Sequence, residues 1–340
     1  MNKVPPSSGE NSGTLEWPKP MAVRLLKYPR KAYNAVFTPM GRRNLDFFFK
    51  KMRLLLAPSY RKNGTHIYGL LNGRHFVVHR GDRLSEQIYL EGGYECVEGL
   101  VVSKIVQRGD VVVDIGANIG YYTSLLDGLV KPGGRVHAFE PGLGTFHRLE
   151  ATKAILHLDQ AVLHQKAISD SVGQIEFWLS LSGTDAQQST QKHVGLGVQT
   201  QPAQVEATTL DAFMGELNAN GTQNIAFVKC DIEGEEHSML KGARALLNAE
   251  NPPIWLIEHN RRVLWLHRCS SSELMACFED ANVFFVPMCW PPSLMAVNQV
   301  RKWNGVPDDL PDECNLLIFP KRGIYANRVD SLHQAGLIAG

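Results

Sequence analysis

The run Val111-Val-Val-Asp-Ile115 ends at Gly116 and continues through Ala117, Asn118 and Ile119 to Gly120, Tyr121, Tyr122 and Thr123. An apolar strand that opens into a glycine turn and then a helix places a ligand at the carboxyl end of the strand. Without a Cβ, Gly116 and Gly120 let a cofactor lie against the backbone. Asp114 supplies a carboxylate suited to the cationic α-amino end of an amino-acid-like cofactor. The N–H groups that open the Tyr121 helix suit that cofactor's carboxylate. A dinucleotide site would require Gly-x-Gly-x-x-Gly. Here Asn118 and Tyr121 put side chains where a pyrophosphate needs bare backbone, which disfavours nicotinamide and flavin.

A second acid, Glu140, ends the strand Arg135–Phe139 and is followed by Pro141. A carboxylate there can accept both hydroxyls of a ribose. Asp231-Ile-Glu-Gly234 follows the apolar run Ile225–Cys230, and Asp231 and Glu233, two apart, face the same way if extended. Glu258 and His259 follow Ile254–Ile257. Any of these four groups could take a proton from a reacting hydroxyl, and His259 has the most suitable ordinary pKa. The alternative for His259 is a satisfied loop histidine, with Asp231 only orienting a cofactor. Asp231, Glu233 and Glu258 could also gather around Mg²⁺ through oxygen. No His-x-x-x-His spacing supports a transition metal, and the expectation is a site with no required metal.

These residues need a frame of strands and helices. From Asp110 onward, strands at Val111–Ile115, Arg135–Phe139, Ala161–Ile168, Ile225–Cys230 and Ile254–Ile257 alternate with helical segments at Tyr121–Leu129, Thr145–Leu156, Leu210–Leu217 and His237–Leu247. That alternation implies parallel pairing with helices on both faces. Gly173–Leu179 reads as an extra strand. A helix over Ser272–Ala281 and strands at Val283–Pro287 and Leu316–Phe319 complete the pattern. Residues 180–204 read as a long loop, and the stretch Met288–Asp312, with Trp290, Pro291, Pro292 and Trp303, as a lid, a sugar-stacking surface or loop packing. Ahead of the glycine turn, Thr65–Leu71 and His75–His79 flank Asn72-Gly73, a strong hairpin signal. Helices follow from Ser85 and over Glu95–Gln107.

The stretch from Asp110 to about Glu258 resembles the FkbM-type branch of the class I S-adenosylmethionine-dependent methyltransferases. The resemblance rests on Asp114-Ile-Gly-Ala-Asn-Ile-Gly-Tyr-Tyr-Thr123, Ala138-Phe-Glu-Pro141, Ala167-Ile-Ser-Asp170 with Gly173, Thr209-Leu-Asp211, and Lys229-Cys-Asp-Ile-Glu-Gly234 with Glu236. Gly93-Tyr94-Glu95 adds to it, and Glu235 departs from the small residue usual there. The resemblance implies a Rossmann-like α/β fold: a mostly parallel seven-stranded sheet with an antiparallel last strand, here preceded by a helical and hairpin extension. It implies S-adenosyl-L-methionine as methyl donor and an oxygen acceptor on a small molecule, a glycan or a lipid-linked sugar. N-methylation of a small molecule or peptide, and an inactive cofactor-binding scaffold, are the alternatives. On this reading Glu95, Asp114, Gly116, Ala117, Asn118, Gly120, Tyr121, Tyr122, Thr123, Glu140, Pro141, Ala167, Ile168, Ser169 and Asp231 bind the cofactor. Ala167–Ser169 form the adenine slot, while Asp231, Glu233 and His259 are the catalytic candidates.

Composition sets the outer limits. The 340 residues are 44% hydrophobic and 20% charged, with a formal net charge of +1. That is ordinary globular composition, with no electrostatic design for nucleic acid. The six cysteines contain no Cys-x-x-Cys pair, so reduced thiols in a cytoplasmic protein are expected, with Cys230 in the core. No apolar run is long enough to span a membrane, and Met1–Pro20 lacks the order of a signal peptide. The expected organisation is a mobile tail over 1–20, a basic helical and hairpin extension over 21–109, a catalytic domain over 110–320 and a C-terminal tail over 321–340. Residues 21–62 carry eleven Lys or Arg against Asp46 alone. They read as basic amphipathic helices that either pack on the domain or attach peripherally to an anionic membrane surface or to an acidic partner.

Overall fold

Alternating buried residues along each strand build a sheet covered on both sides. In the computed structural model, which describes residues 39–69, 74–180, 200–219, 224–287 and 300–338, Val112, Leu256, Phe284 and Leu317 pack into one apolar layer. Their chain neighbours Val113, Ile257, Phe285 and Leu316 pack into the other. This is the period of two expected of strands buried on both faces. The tail at 1–20, the Asn72-Gly73 turn, most of the loop 180–204, and Trp290, Pro291 and Pro292 lie outside the described residues.

The strands are β1 (Thr65–Gly69), β2 (His75–His79), β3 (Val111–Ile115), β4 (Arg135–Phe139), β5 (Ala161–His164), β6 (Ala167–Ile168), β7 (Gly173–Ser180), β8 (Thr200–Thr208), β9 (Ile225–Cys230), β10 (Ile254–Asn260), β11 (Ala281–Pro287), β12 (Arg301–Lys302) and β13 (Glu313–Pro320). The main sheet has the order β12-β11-β13-β10-β9-β3-β4-β5. Seven long strands form it, with the two-residue β12 added at one edge. Strand β13 runs antiparallel to both β10 and β11, as expected of the last strand. The chain leaves β3 towards β4 and β5, then returns to β9 on the other side. The strand order therefore reverses at β3, and a crevice opens between the carboxyl ends of β3 and β9.

Several boundaries differ from expectation. The single strand expected over Ala161–Ile168 is two: β5 joins the main sheet, and β6 joins a side sheet of order β6-β8-β7. Residues 200–208 are strand β8, paired along its length with β7, and not loop. Strand β10 extends three residues beyond Ile257, because Glu258, His259 and Asn260 pair with Asn315, Cys314 and Glu313 of β13.

The chain divides into two units, Met1–Arg53 and Leu54–Gly340. In the first, the described part is a helix that starts at Pro39 and ends past the boundary, at Leu56. The second holds the β1–β2 hairpin, the helices Arg83–Glu91 and Cys96–Ile105, and both sheets. The segment after Pro320, expected as a tail, belongs to this unit's core. Leu332, Leu337 and Ile338 are buried, and Arg328 makes a two-pronged ion pair with Asp110 at 2.5 and 2.9 Å.

Candidate functional site

The glycine turn is shaped by protein contacts as much as by any ligand. Gly116 has φ +75°, and a Cβ there would lie 1.9 Å from the carbonyl oxygen of Asp231. Gly120 has φ +90°, and a Cβ there would lie 2.9 Å from Leu149 Cδ1. Both residues must therefore be glycine for conformation and for close approach. Between them Asn118 adopts φ +50°, and its Oδ1 is a buried acceptor with no partner in the protein.

These turns border an open cleft with about 1170 Å³ of empty space, its solvent mouth included. Along one stretch lie Gly116, Ala117, Asn118, Glu140 and Pro141; Lys166, Ala167, Ile168, Ser169, Ile175 and Phe177 continue the wall. Glu140 is buried, and its carboxylate accepts from the backbone N–H groups of Asn118 at 3.1 Å and Gly142 at 2.9 Å. Its orientation at the end of β4 is thus fixed by the turn it serves.

The other stretch is acidic, with Asp114, Asp231, Glu233 and Glu258 around the single cation Lys229. Register places Asp114 of β3 beside Lys229 of β9. Asp114 is fully buried and accepts from Thr123 Oγ1 at 2.6 Å; burial pushes its carboxyl up to about 6. Lys229 Nζ lies 3.3 Å from Asp231 Oδ2 and 5.0 Å from the centre of the Tyr122 ring. Burial works against the ammonium, but the carboxylates of Asp231, Glu95 and Glu258 keep it charged. Burial likewise raises Asp231, but Lys229 and a hydrogen bond from Glu258 hold it below the usual carboxylate range. Glu258 is raised well above that range by burial and by Asp231, so it carries the proton of that bond.

Glu233 is the most perturbed backbone position in this stretch. It has φ +55° and is followed by Gly234 at φ +103°. A Cβ on Gly234 would meet His267 at 2.5 Å and Val263 at 2.7 Å, so the turn is pressed onto the Arg261–Leu266 helix. Glu236 Oε1 accepts from Ile232 and Gly234 N–H and fixes the turn from inside. Burial and then the charge of Asp231 push Glu233 up to about 8. Of the six non-glycine residues with positive φ among the described residues, Asn118 and Glu233 line this cleft and Glu95 lies behind Tyr122. Strain concentrated beside a cleft is a mark of function.

Comparison with known proteins fits this geometry. Residues 114–267 match the model of the methyltransferase FkbM domain. Over this stretch, which is under half of the chain, the protein is similar to FkbM-type methyltransferases. The 31-O-demethyl-FK506 methyltransferase FkbM of Streptomyces tacrolimicus is 38% identical over 111 residues, which are 33% of this chain and 38% of that protein. The chain thus spans well under half the length of this curated relative. Among solved structures, an O-methyltransferase from Bacillus cereus in complex with SAH aligns with TM-score 0.37 and 12% identity over 65% of this chain and 77% of its own. A SAM-dependent methyltransferase from Aquifex aeolicus aligns with TM-score 0.36 and 12% identity over 65% and 87%. The likeness to these structures is faint, and the fold is read from this chain's own strand order.

Most residues expected from sequence line this cleft: Asp114, Gly116, Ala117, Asn118, Tyr121, Tyr122, Glu140, Pro141, Ala167, Ile168, Ser169, Asp231 and Glu233. Four do not. Gly120 faces Leu149 and Thr152 of the Leu143–Leu156 helix. The Thr123 hydroxyl is spent on Asp114. Glu95 accepts from the Tyr122 hydroxyl at 2.6 Å and from Asn315 at 3.4 Å, so it orients Tyr122 from behind.

His259 is the fourth and the clearest correction. Within β10 it points opposite to Glu258, away from the cleft, because strand side chains alternate. It is fully buried, contacts Ser271 Oγ at 2.8 Å, and is lowered to about 4 by burial and by Arg261. A neutral, enclosed imidazole on the wrong face is not a general base for this site. Sequence reasoning gives Lys229, Ile175 and Phe177 no role. The alternation of Ile175 and Phe177 along β7 was the available signal for the latter two.

The residues fit S-adenosylmethionine. Glu140 brings a buried carboxylate to the cleft, and Ala167–Ser169 with Phe177 form an apolar part of its wall. The buried Asn118 acceptor and the carboxylates Asp114 and Asp231 suit a cationic amino-acid end. Among the described residues, no group of three or more His, Cys, Asp or Glu side chains is arranged to hold a metal ion.

Proposed function

We propose that this protein transfers a methyl group from S-adenosylmethionine to a hydroxyl of a small molecule, a glycan or a lipid-linked sugar. The observation that carries the reading is one cleft with a ribose-type acid, Glu140, along one stretch and the Asp231–Glu258 pair with Glu233 along the other. The named O-methylation of the FkbM relative supports an oxygen acceptor.

The bound cofactor would supply an electrophilic methyl on a cationic sulfur. The chain's part is to position and to move a proton. Lys229 and Glu258 hold Asp231 as an anion, which orients the cationic end of the ligand. Glu233, raised to about 8, is in its ionised form a carboxylate basic enough to take the proton of an attacking hydroxyl on the alkaline side of neutrality. The concentration of carboxyl groups at this end also suits an ammonium ligand, which keeps N-methylation as the second reading.

Calorimetric titration with S-adenosylmethionine and S-adenosylhomocysteine, on wild type and Glu140→Ala, tests the cofactor. Transfer of labelled methyl to a panel of alcohols, sugars and amines tests the acceptor class. Saturable binding that weakens at least tenfold in Glu140→Ala is expected. A folded wild type that binds neither compound would sink the reading. Labelling of amines alone would replace oxygen by nitrogen.

A further inference from the structure

The helix Pro39–Leu56 carries a surface that the methyltransferase site does not use. Phe48, Phe49, Met52, Leu55 and Leu56 are all exposed, Phe48 by 54% and Leu56 by 63%. Their spacing is i, i+1, i+4, i+7, i+8, which gathers them within about 120° of the helix circumference. Leu54 projects from nearly the opposite side and is 2% exposed, packed in the core. Leu54 is thus buried near the helix end, while the stripe itself is exposed.

From Phe48 onward the charges beside the stripe are basic, and the helix's acid, Asp46, precedes the stripe. Lys51 borders one edge of the stripe and Arg53 the other, by the same helical geometry. Lys50, Arg61 and Lys62 lie in the same stretch, and no Asp or Glu occurs between Asp46 and Asp82. Phe and Leu side chains flanked on both sides by long cations make a surface that sinks shallowly into acyl chains while the charged ends stay at the headgroups. A rim that is cationic apart from Asp46 fits an anionic plane. Among the described residues no helix is long and apolar enough to cross a membrane, which leaves contact in the plane of the interface.

We propose that the helix Pro39–Leu56 docks the protein on an anionic lipid surface, with Phe48, Phe49, Met52, Leu55 and Leu56 inserted and Lys51 and Arg53 at the headgroups. The proposal is independent of the methyltransferase reading. It is tested on the full chain by sedimentation with phosphatidylcholine vesicles, with and without phosphatidylserine, at low and high salt. Three proteins are compared: wild type, Leu55→Ser/Leu56→Ser, and Lys51→Gln/Arg53→Gln.

Binding that requires phosphatidylserine and falls steeply with salt is expected for wild type. The charge variant should partition at least tenfold more weakly, at about 1 kcal/mol for each basic residue removed. The serine variant should lose binding while its circular dichroism and melting temperature match wild type, since both changed leucines are exposed. Absence of wild-type binding at low salt, or equal binding by all three proteins, overturns the proposal. So does concentration-dependent self-association without lipid that the serine variant abolishes, which would make the stripe an interface between copies of the chain.

Discussion

The carbonyl oxygen of Asp231 fills the space that a side chain on Gly116 would need, 1.9 Å from the position of its Cβ. The ends of β3 and β9 are thereby locked together at the switch point of the sheet. Asp231 N–H also donates to Ile115 O at 3.1 Å, so the two strand ends are held by contacts of both kinds. Gly116→Ala should therefore report on folding and not on the cofactor alone. The left-handed conformation and the overlap together should cost about 3 kcal/mol or more. Gly109 has φ +90° with open space around it, and Gly109→Ala should cost about 1 kcal/mol. Thermal unfolding of both variants checks this. Equal melting temperatures would mean that the strand ends part easily.

Glu140 makes a cleaner probe of the cofactor. Its carboxylate holds two backbone N–H groups, and one oxygen is retained in Glu140→Gln. Charge-assisted bonds are worth about 1.5–3 kcal/mol each. Glu140→Gln should weaken S-adenosylmethionine binding about tenfold or more, with a smaller change in melting temperature. Unchanged affinity by calorimetry would remove Glu140 from the ribose role.

Much of this site was legible in the sequence because its signals are local. A β-branched run ending at glycine, an acid after the next strand, and two acids two residues apart need no knowledge of the fold. What failed was set by pairing across the sheet. His259 stands just after the apolar run Ile254–Ile257, so it reads as a loop residue near the site. Pairing with β13 extends the strand through it, and the alternation then sends Glu258 to the cleft and His259 away. Lys229 hides in the apolar run of β9, where a lysine gives no periodic signal; its meaning comes from Asp114 and Asp231, brought beside it by register and turn. The segment 321–338 looks like a tail because its helix Asp330–Gln334 is too short to announce itself. The Arg328–Asp110 pair that ties it down joins residues far apart in sequence.

The reassignment of His259 has its own consequence. His259→Gln should leave the rate of methyl transfer within a few-fold of wild type, because the side chain does not reach the cleft. It should lower stability by about 1–3 kcal/mol, through the lost Ser271 contact and imperfect packing. A rate loss of a hundredfold or more at unchanged stability would restore it as a base.

Glu233 should govern the alkaline side of catalysis. Below about pH 8 its carboxyl is protonated in the free protein and cannot accept the acceptor's proton. The kcat/KM for methyl transfer should rise with pH and level off above about 8. Glu233→Gln should lower the plateau about a hundredfold and flatten the rise. A profile flat between pH 6 and 9 in wild type would remove Glu233 as the base.

The same buried groups set how stability depends on pH. His79, His137, His164 and His259 are each lowered to about 4, mainly by burial, from an ordinary value of 6.5. The unfolded chain binds more protons than the folded one between about pH 4 and 6.5, so these groups make stability rise with pH there. The acids act in the opposite sense. Asp114 is raised to about 6, Glu98 and Glu236 to about 7 and Glu233 to about 8, all chiefly by burial. Their folded forms hold protons more tightly, so the stability they contribute is full below the ordinary carboxylate range and is lost as pH rises through those values. Between pH 4 and 6.5 the two sets oppose each other; from 6.5 to 8 only the acids still titrate. The melting temperature of the ligand-free protein should therefore fall between about pH 6.5 and pH 8. S-adenosylmethionine should reduce that fall, because a cation beside Asp231 and Glu233 favours their charged forms. A melting temperature that keeps rising to pH 8 without ligand would show that these carboxyls are not buried as the fold places them.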